Sequence, residues 1–406
     1  MALPLPAAPQ ASPRAPRHLS LETATVPAPA PAAARVPSVD VLRGLVMVVM
    51  VLDHVRDYLT DVRFDPLDLA RTSGPLYFTR WITHFCAPTF VLLAGMSAWM
   101  AGRRRTRPQL AWFLATRGLW LVLLEVTVVS FGWYFNVRFE HGAILQVIWA
   151  IGVAMIALSA LVFLPRPVIA ALAVAAIAGH NLLDGASPAW LTADEWRLLH
   201  VPGTLTGAHV LVMYPLIPWV AVLALGYVLG GLLDLPDQRR RRALLGAGAA
   251  AIGAFVVLRA VNGYGDPVAW SEASGRTLLA FLNTTKYPPS LAYLLMTLGP
   301  GLVLLAAFER ARGPAARVLL TFGRVPLFFY VAHLYLVHAF ALAAFVAVGL
   351  PWSGAARLFI DYPETYGFGL GVVYAAWALA IALLYPCCRW FGERKRAGRG
   401  WWWSYL

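Results

Sequence analysis

Long apolar runs recur along this chain, separated by short loops that hold much of its arginine. They lie near 39–59, 79–101, 109–133, 144–164, 167–183, 209–233, 243–262, 288–308, 324–349 and 366–388. Each is close to the roughly 17–25 residues a helix needs to cross a hydrocarbon core. Backbone groups in a bilayer must be satisfied within the chain, which leaves helices or closed barrels, and runs this long are not barrel strands. The expected fold is therefore all-α, a polytopic membrane bundle of about ten helices. The fifth run is short and the least marked. The chain is 60% hydrophobic and only 13% charged, about half the charge of a soluble protein.

A net charge of +13 would suggest nucleic acid in a soluble chain. Here the arginines sit between apolar spans, where they set orientation, and nucleic-acid binding is not supported. RRRTR at 103–107, RRRR at 239–242 and the segment from Arg389 to Arg399 fall on one side of the membrane. With both termini cytoplasmic, about 20 Lys and Arg lie in inner segments against about 8 in outer ones. The expected location is a bacterial inner membrane. Residues 1–36, rich in Pro and Ala, read as a disordered cytoplasmic tail, 37–390 as the membrane domain, and 391–406 as a basic, aromatic tail ending in the interfacial anchor WWWSYL. Cys86, Cys387 and Cys388 form neither a disulfide framework nor a zinc spacing. No glycine-rich phosphate loop is present at a strand-to-helix turn, and no metal site is expected.

The first apolar run stands apart because it is charged. SVDVLRGLVMVVMVLDHVRDY, Ser38 to Tyr58, begins with Asp40 and Arg43 and ends with Asp53, His54, Arg56 and Asp57. At about 100° per residue, Arg43, Met47, Met50 and His54 share one face, with His54 about 16 Å beyond Arg43. Charges at membrane depth face a protein interior or a water-filled cavity and mark function. The plainer alternative is an interfacial Asp40–Arg43 pair at one end and a polar helix terminus at the other.

The Asp-x-x-Arg-Gly start of this run, with a polar residue fourteen positions after the Asp, resembles the first helix of the membrane acyltransferase superfamily. VDVLRGLVMVVMVLDHVRDY is similar to the opening motif of the bacterial branch of the heparan-alpha-glucosaminide N-acetyltransferase-like family. RWITHFCAPTFVLLAG, YPLIPWVAVLALGYVLG, TKYPPSLAYLLMTLGP and FGRVPLFFYVAHLYLVH resemble its later blocks, in order, from about Val36 to the C-terminus. The resemblance implies acyl transfer from acetyl-CoA to an amino sugar. It carries one departure: the lysosomal relatives have Asn in the place of His54, so it does not by itself map their catalytic histidine onto His54.

Sorted by depth, the polar residues fall into two groups. His54, His84, Glu125 and His338 lie toward the outer side, with Lys286 and Tyr287 at the outer mouth of the eighth run. Arg43, Arg117 and Arg324 lie toward the inner side. Arginines there suit the phosphates of a cytoplasmic acyl-CoA, held as charge-assisted pairs. A histidine further out suits a general base or an acyl carrier, oriented by Asp53 or Glu125. Of the two histidines on the ninth run, which point to opposite sides of a helix, His338 is expected at the site rather than His333, because it shares a face with Arg324. His84 has a plainer reading, helix bending by Pro88, and Lys286 either binds an anionic substrate group or simply marks the interface.

The expected protein is an acyltransferase that takes an acetyl or other short acyl group from cytoplasmic acyl-CoA. Its acceptor would be an envelope glycan or glycolipid on the periplasmic side of the bilayer. The rival is a transporter or lipid flippase whose pathway the same polar residues line. The sequence leaves open association with a second copy of the chain.

Overall fold

A computed structural model describes Met1 and residues 36–136, 142–271 and 275–398. The chain divides into two units, Met1–Arg35 and Val36–Leu406. The expected N-terminal tail, apart from Met1 and Val36, and the terminal aromatic anchor lie outside the described residues.

The second unit is a helical membrane bundle. Its helices are α1 (Pro37–Leu59), α2 (Gly74–Trp81), α3 (Cys86–Gly102), α4 (Arg107–Leu124), α5 (Ser130–Tyr134), α6 (Val147–Leu161), α7 (Arg166–Gly179) and α8 (Ala193–Leu199). They continue with α9 (Leu216–Gly230), α10 (Asp237–Val261), α11 (Thr277–Leu282), α12 (Leu291–Phe308), α13 (Pro314–Gly323), α14 (Pro326–Ala347) and α15 (Leu370–Ala397). A 3-10 turn at Ile82–Phe85 joins α2 to α3, and a π turn at Glu125–Val129 joins α4 to α5, making two long bent rods.

Among the described residues, eight helices are long and apolar enough to cross a membrane, against the ten expected. Two of the expected runs fall short for different reasons. α1 has the length, 23 residues, but carries Asp40, Arg43, Asp53, Arg56 and Asp57. α6 has only 15 residues, because Ile144–Leu145 ahead of it form β1 and pair with β3 (Leu211–Val212) instead of extending the helix. The fifth run, expected to be the weak one, gives a full span at Arg166–Leu183. β2 (Gly203–Thr204) completes the small sheet in the order β1-β3-β2, with β1 parallel and β2 antiparallel to β3.

Helices in a bilayer gain little from apolar transfer against each other, so association relies on close packing at small residues. Here reciprocal glycines mark four crossings. A Cβ built on Gly95 of α3 would lie 2.0 Å from the Leu223 carbonyl oxygen of α9, and one on Gly226 of α9 would lie 2.2 Å from that of Leu92. Gly118 and Gly152 do the same for α4 and α6, Gly248 and Gly299 for α10 and α12, and Gly44 and Gly323 for α1 and α13. The last pair brings the ten-residue α13 against the first turns of α1. It seats α1 inside the bundle, where it also packs on α3, α12, α14 and α15.

Arg259 is buried, and its guanidinium donates to the carbonyls of Ala280, Phe281 and Asn283 and caps the end of α11. Gly95→Ala should lower the melting temperature of the purified protein by several degrees, since backbone would have to move. Gly246→Ala on α10, where a new Cβ meets nothing within 4 Å, should leave it unchanged or raise it slightly. Intrinsic fluorescence during heating in detergent would compare the two, and equal melting for both variants would contradict close approach as the role of Gly95.

Candidate functional site

Two cavities lie along α1. One, of about 640 Å³, opens at the end of α1 away from the arginine-rich loops and is lined by Met50, Asp53, His54, Asp57, Arg80 and Lys286, among others. The other, of about 290 Å³, lies toward the arginine-rich end and is mostly apolar, with Arg43, Met47, Ser97 and Arg117 on its wall. Phe90, Val147 and Tyr330 line both. The face Arg43–Met47–Met50–His54 therefore runs along the two cavities in sequence order.

Charge is tolerated on α1 because its charged groups are paired. Asp53, 7% exposed, accepts from Arg56 at 2.9 Å and from Arg80 at 2.6 Å. Arg56 also reaches Asp57 at 2.5 Å. Asp53 is thus not the orienting partner of the His54 ring; it holds Arg56, three residues on, and Arg80, which nothing in the sequence pattern singles out. At the other end Arg43 donates to Asp40 and Ser97, both at 2.8 Å, and to the Gly323 carbonyl at 3.1 Å. It ties α1, α3 and α13 together as well as lining the narrow cavity.

The partner of His54 is His333. Nδ1 of His54 lies 2.7 Å from Nε2 of His333, and Nδ1 of His333 lies 3.1 Å from the Phe329 carbonyl oxygen. A carbonyl can only accept, so the hydrogen of neutral His333 sits on Nδ1 and its Nε2 is an acceptor. Nδ1–H of His54 then donates to it, and the Nε2 lone pair of His54 is left for whatever enters the wide cavity. Trp133 packs edge-on at 4.9 Å between ring centroids and fixes the His54 ring plane.

His338, the histidine expected at the site, is elsewhere. Its nitrogens lie against the carbonyls of Gly132 and Ala355, at 2.9 and 2.7 Å, and its ring stacks on Phe135. Both histidines of α14 are fully buried, so burial does not distinguish them. What distinguishes them is the neighbour on each side, α1 for one and the α5 end with the 352–362 loop for the other, which a helical wheel does not contain.

The remaining candidates sort by their contacts. Glu125 is fully buried in the π turn and accepts from the backbone N–H groups of Gln146 and Trp149, at 3.3 and 3.0 Å. It caps the N-terminus of α6, where Gln146 supplies no side-chain cap, and does not orient a histidine. His84 is fully buried, with neither ring nitrogen partnered among the described residues. Its carbonyl has the clearer role. Pro88, four residues on, has no N–H to give that carbonyl, and the Tyr293 hydroxyl donates to it at 2.8 Å instead. Arg324 is exposed after α13 and lines neither cavity. Lys286 and Tyr287 line the wide cavity and also an adjoining one of about 620 Å³ beside His84 and Trp270. Among the described residues no carboxylate lies within ion-pair distance of Lys286, whose ammonium sits 5.1 Å from the Tyr287 ring centre.

Comparison with known proteins decides the family. The family model for heparan-alpha-glucosaminide N-acetyltransferase, catalytic, matches residues 35–259, more than half of the chain. The chain belongs to this family. Within this N-acetyltransferase family segment fall α1, both arginines of the narrow cavity, His54 and Arg80; Lys286, Tyr330 and His333 come from beyond it. No curated protein matches the chain. The family supports a membrane acetyltransferase-like activity.

The His54–His333 geometry has a spectroscopic consequence. Nitrogen-15 spectra of histidine-labelled protein should show neutral His54 as the Nδ1–H form, the minor form of free imidazole side chains. His333→Phe should return it toward the Nε2–H form. A wild-type His54 with its hydrogen on Nε2 would contradict the arrangement.

Proposed function

We propose that this protein transfers an acetyl or similar short acyl group from acyl-CoA to an amino-sugar or other glycan or glycolipid acceptor across a bacterial inner membrane. The observation that carries this reading is that two cavities lie one after the other along one face of α1 and share Phe90, Val147 and Tyr330 in their walls. The narrow cavity has the character of a pantetheine channel: apolar walls, with arginines toward the cytoplasmic side. Arg43 and Arg117 favour phosphate at that end, and arginine suits phosphate because its fork donates to two oxygens at once. Arg43 also holds helices together.

The wide cavity suits the acceptor, with polar and charged walls open to the opposite side. His54 takes a proton from the acceptor amine or hydroxyl on Nε2, and the imidazolium so formed is steadied by donating through Nδ1 to His333. A histidine in place of the usual carboxylate keeps the ring oriented without adding a negative charge beside the acidic Asp53 and Asp57. His338, whose ring nitrogens lie against the carbonyls of Gly132 and Ala355, acts through packing, and His84 lines the adjoining cavity shared with Lys286 and Tyr287. Lys286 and Tyr287 sit where an acceptor would enter.

His54→Gln keeps a hydrogen-bonding side chain of similar size but cannot take a proton near neutrality. It should lower transfer from acetyl-CoA by about 100-fold or more. CoA affinity, measured by calorimetry on the same preparation, should stay within a few-fold of wild type. Near-normal transfer by a folded His54→Gln protein would remove His54 from the chemistry. Movement of substrate across vesicles without any acyl transfer would favour a carrier.

A further inference from the structure

We propose that the Tyr330 hydroxyl is the hydrogen-bond donor to the reacting carbonyl oxygen, which makes Tyr330 a catalytic residue of the transfer reaction; this rests on the acyltransferase reading above. Three residues line both cavities, Phe90, Val147 and Tyr330, and of their side chains only that of Tyr330 is polar. Any group that passes from the narrow cavity to the wide one passes these three. Tyr330 is 95% buried, and its hydroxyl has no partner among the described residues. Trp133 also has a buried indole N–H with no partner among the described residues, but it lines only the wide cavity.

The position relative to the base is the second observation. Tyr330 and His333 are three residues apart on α14, with ring centroids 5.4 Å apart, and the His333 ring is 5.0 Å from that of His54. The Tyr330 and His54 rings therefore both pack against His333, Tyr330 in the wall shared by the two cavities and His54 in the wall of the wide one. The shared wall is where a thioester arriving through the narrow cavity would meet an acceptor in the wide one. Acyl transfer needs a proton acceptor on the nucleophile and a donor on the carbonyl oxygen, on different sides of the reacting carbon.

In the step, the acceptor nitrogen or oxygen attacks the thioester carbon and forms the new bond, while the carbonyl π electrons move onto oxygen. Tyr330 donates its hydrogen bond to that oxygen and keeps its proton. His54 takes the proton from the acceptor. As the carbonyl re-forms, the carbon–sulfur bond breaks, the electron pair leaves on sulfur, and the proton on His54 passes to it to give free CoA thiol. A donor left unpaired in the resting protein is one that costs no broken hydrogen bond when the oxyanion develops.

The test uses the full-length protein in lipid nanodiscs, with acetyl-CoA as donor, glucosamine as probe acceptor, and thiol release as the readout. Tyr330→Phe should lower kcat by about 100-fold, with CoA affinity by calorimetry unchanged within about twofold. Replacing Tyr330 with 3-fluorotyrosine, a stronger donor of nearly the same shape, should keep or raise the rate, a response to donor strength that a packing role would not give. A folded Tyr330→Phe protein with wild-type kcat overturns this proposal and leaves the transferase reading intact. So does a 3-fluorotyrosine protein as slow as the Phe variant. A wild-type protein that neither binds acetyl-CoA by calorimetry nor releases thiol, with glucosamine or with water as acceptor, removes the transferase reading and this proposal with it.

Discussion

The structure depends on Asp53 being held between Arg56 and Arg80. α1 carries Asp40, Arg43, Asp53, Arg56 and Asp57 within 23 residues, too many for a helix facing lipid. It can lie inside the bundle only because these groups neutralise one another there. Arg56 alone, three residues from Asp53, would pair it on the surface of an isolated helix. Arg80 arrives from α2 and binds the helix to its surroundings. Removing one member of such a set leaves a buried charge uncompensated, at about 3–5 kcal/mol, so the cluster fixes the position of α1 as well as its charge. His54, the residue between Asp53 and Arg56, is positioned by the same anchorage.

Close approach at glycine completes the frame. Gly44 against Gly323 brings α13 onto the start of α1, and Arg43 bonds the Gly323 carbonyl across that contact. From there Pro326 starts α14, whose His333 reaches His54 near the end of α1. One small-residue crossing at the arginine-rich end thus sets the register of the helix that completes the site. The family match stops at 259, so the second half of the site is supplied by chain beyond the matched segment.

Much of this was legible in the sequence. The apolar runs gave the helical membrane bundle, and the 100° spacing gave the stripe of Arg43, Met47, Met50 and His54 that the cavities follow. The misses share a cause. His333 against His338, Glu125 as a helix cap, and Arg80 as the partner of Asp53 each depend on which element lies next to which. Periodicity within one helix carries no such information. The span count erred at both margins for local reasons, charge in α1 and strand pairing before α6. Tyr330 gave no sequence signal, since an aromatic in an apolar helix is ordinarily packing; that its hydroxyl has no partner among the described residues emerges only from the assembled fold.

Donor and acceptor meet, on this reading, where the two cavities join on α1. The most direct measurement is an experimental structure of the protein with CoA bound. The nucleotide should lie at the arginine-rich end near Arg43 and Arg117, the pantetheine within the narrow cavity, and the sulfur between Phe90, Val147 and Tyr330, on the side facing His54. CoA entering from the opposite end, with its phosphates on Lys286 or Arg80, would contradict that meeting point.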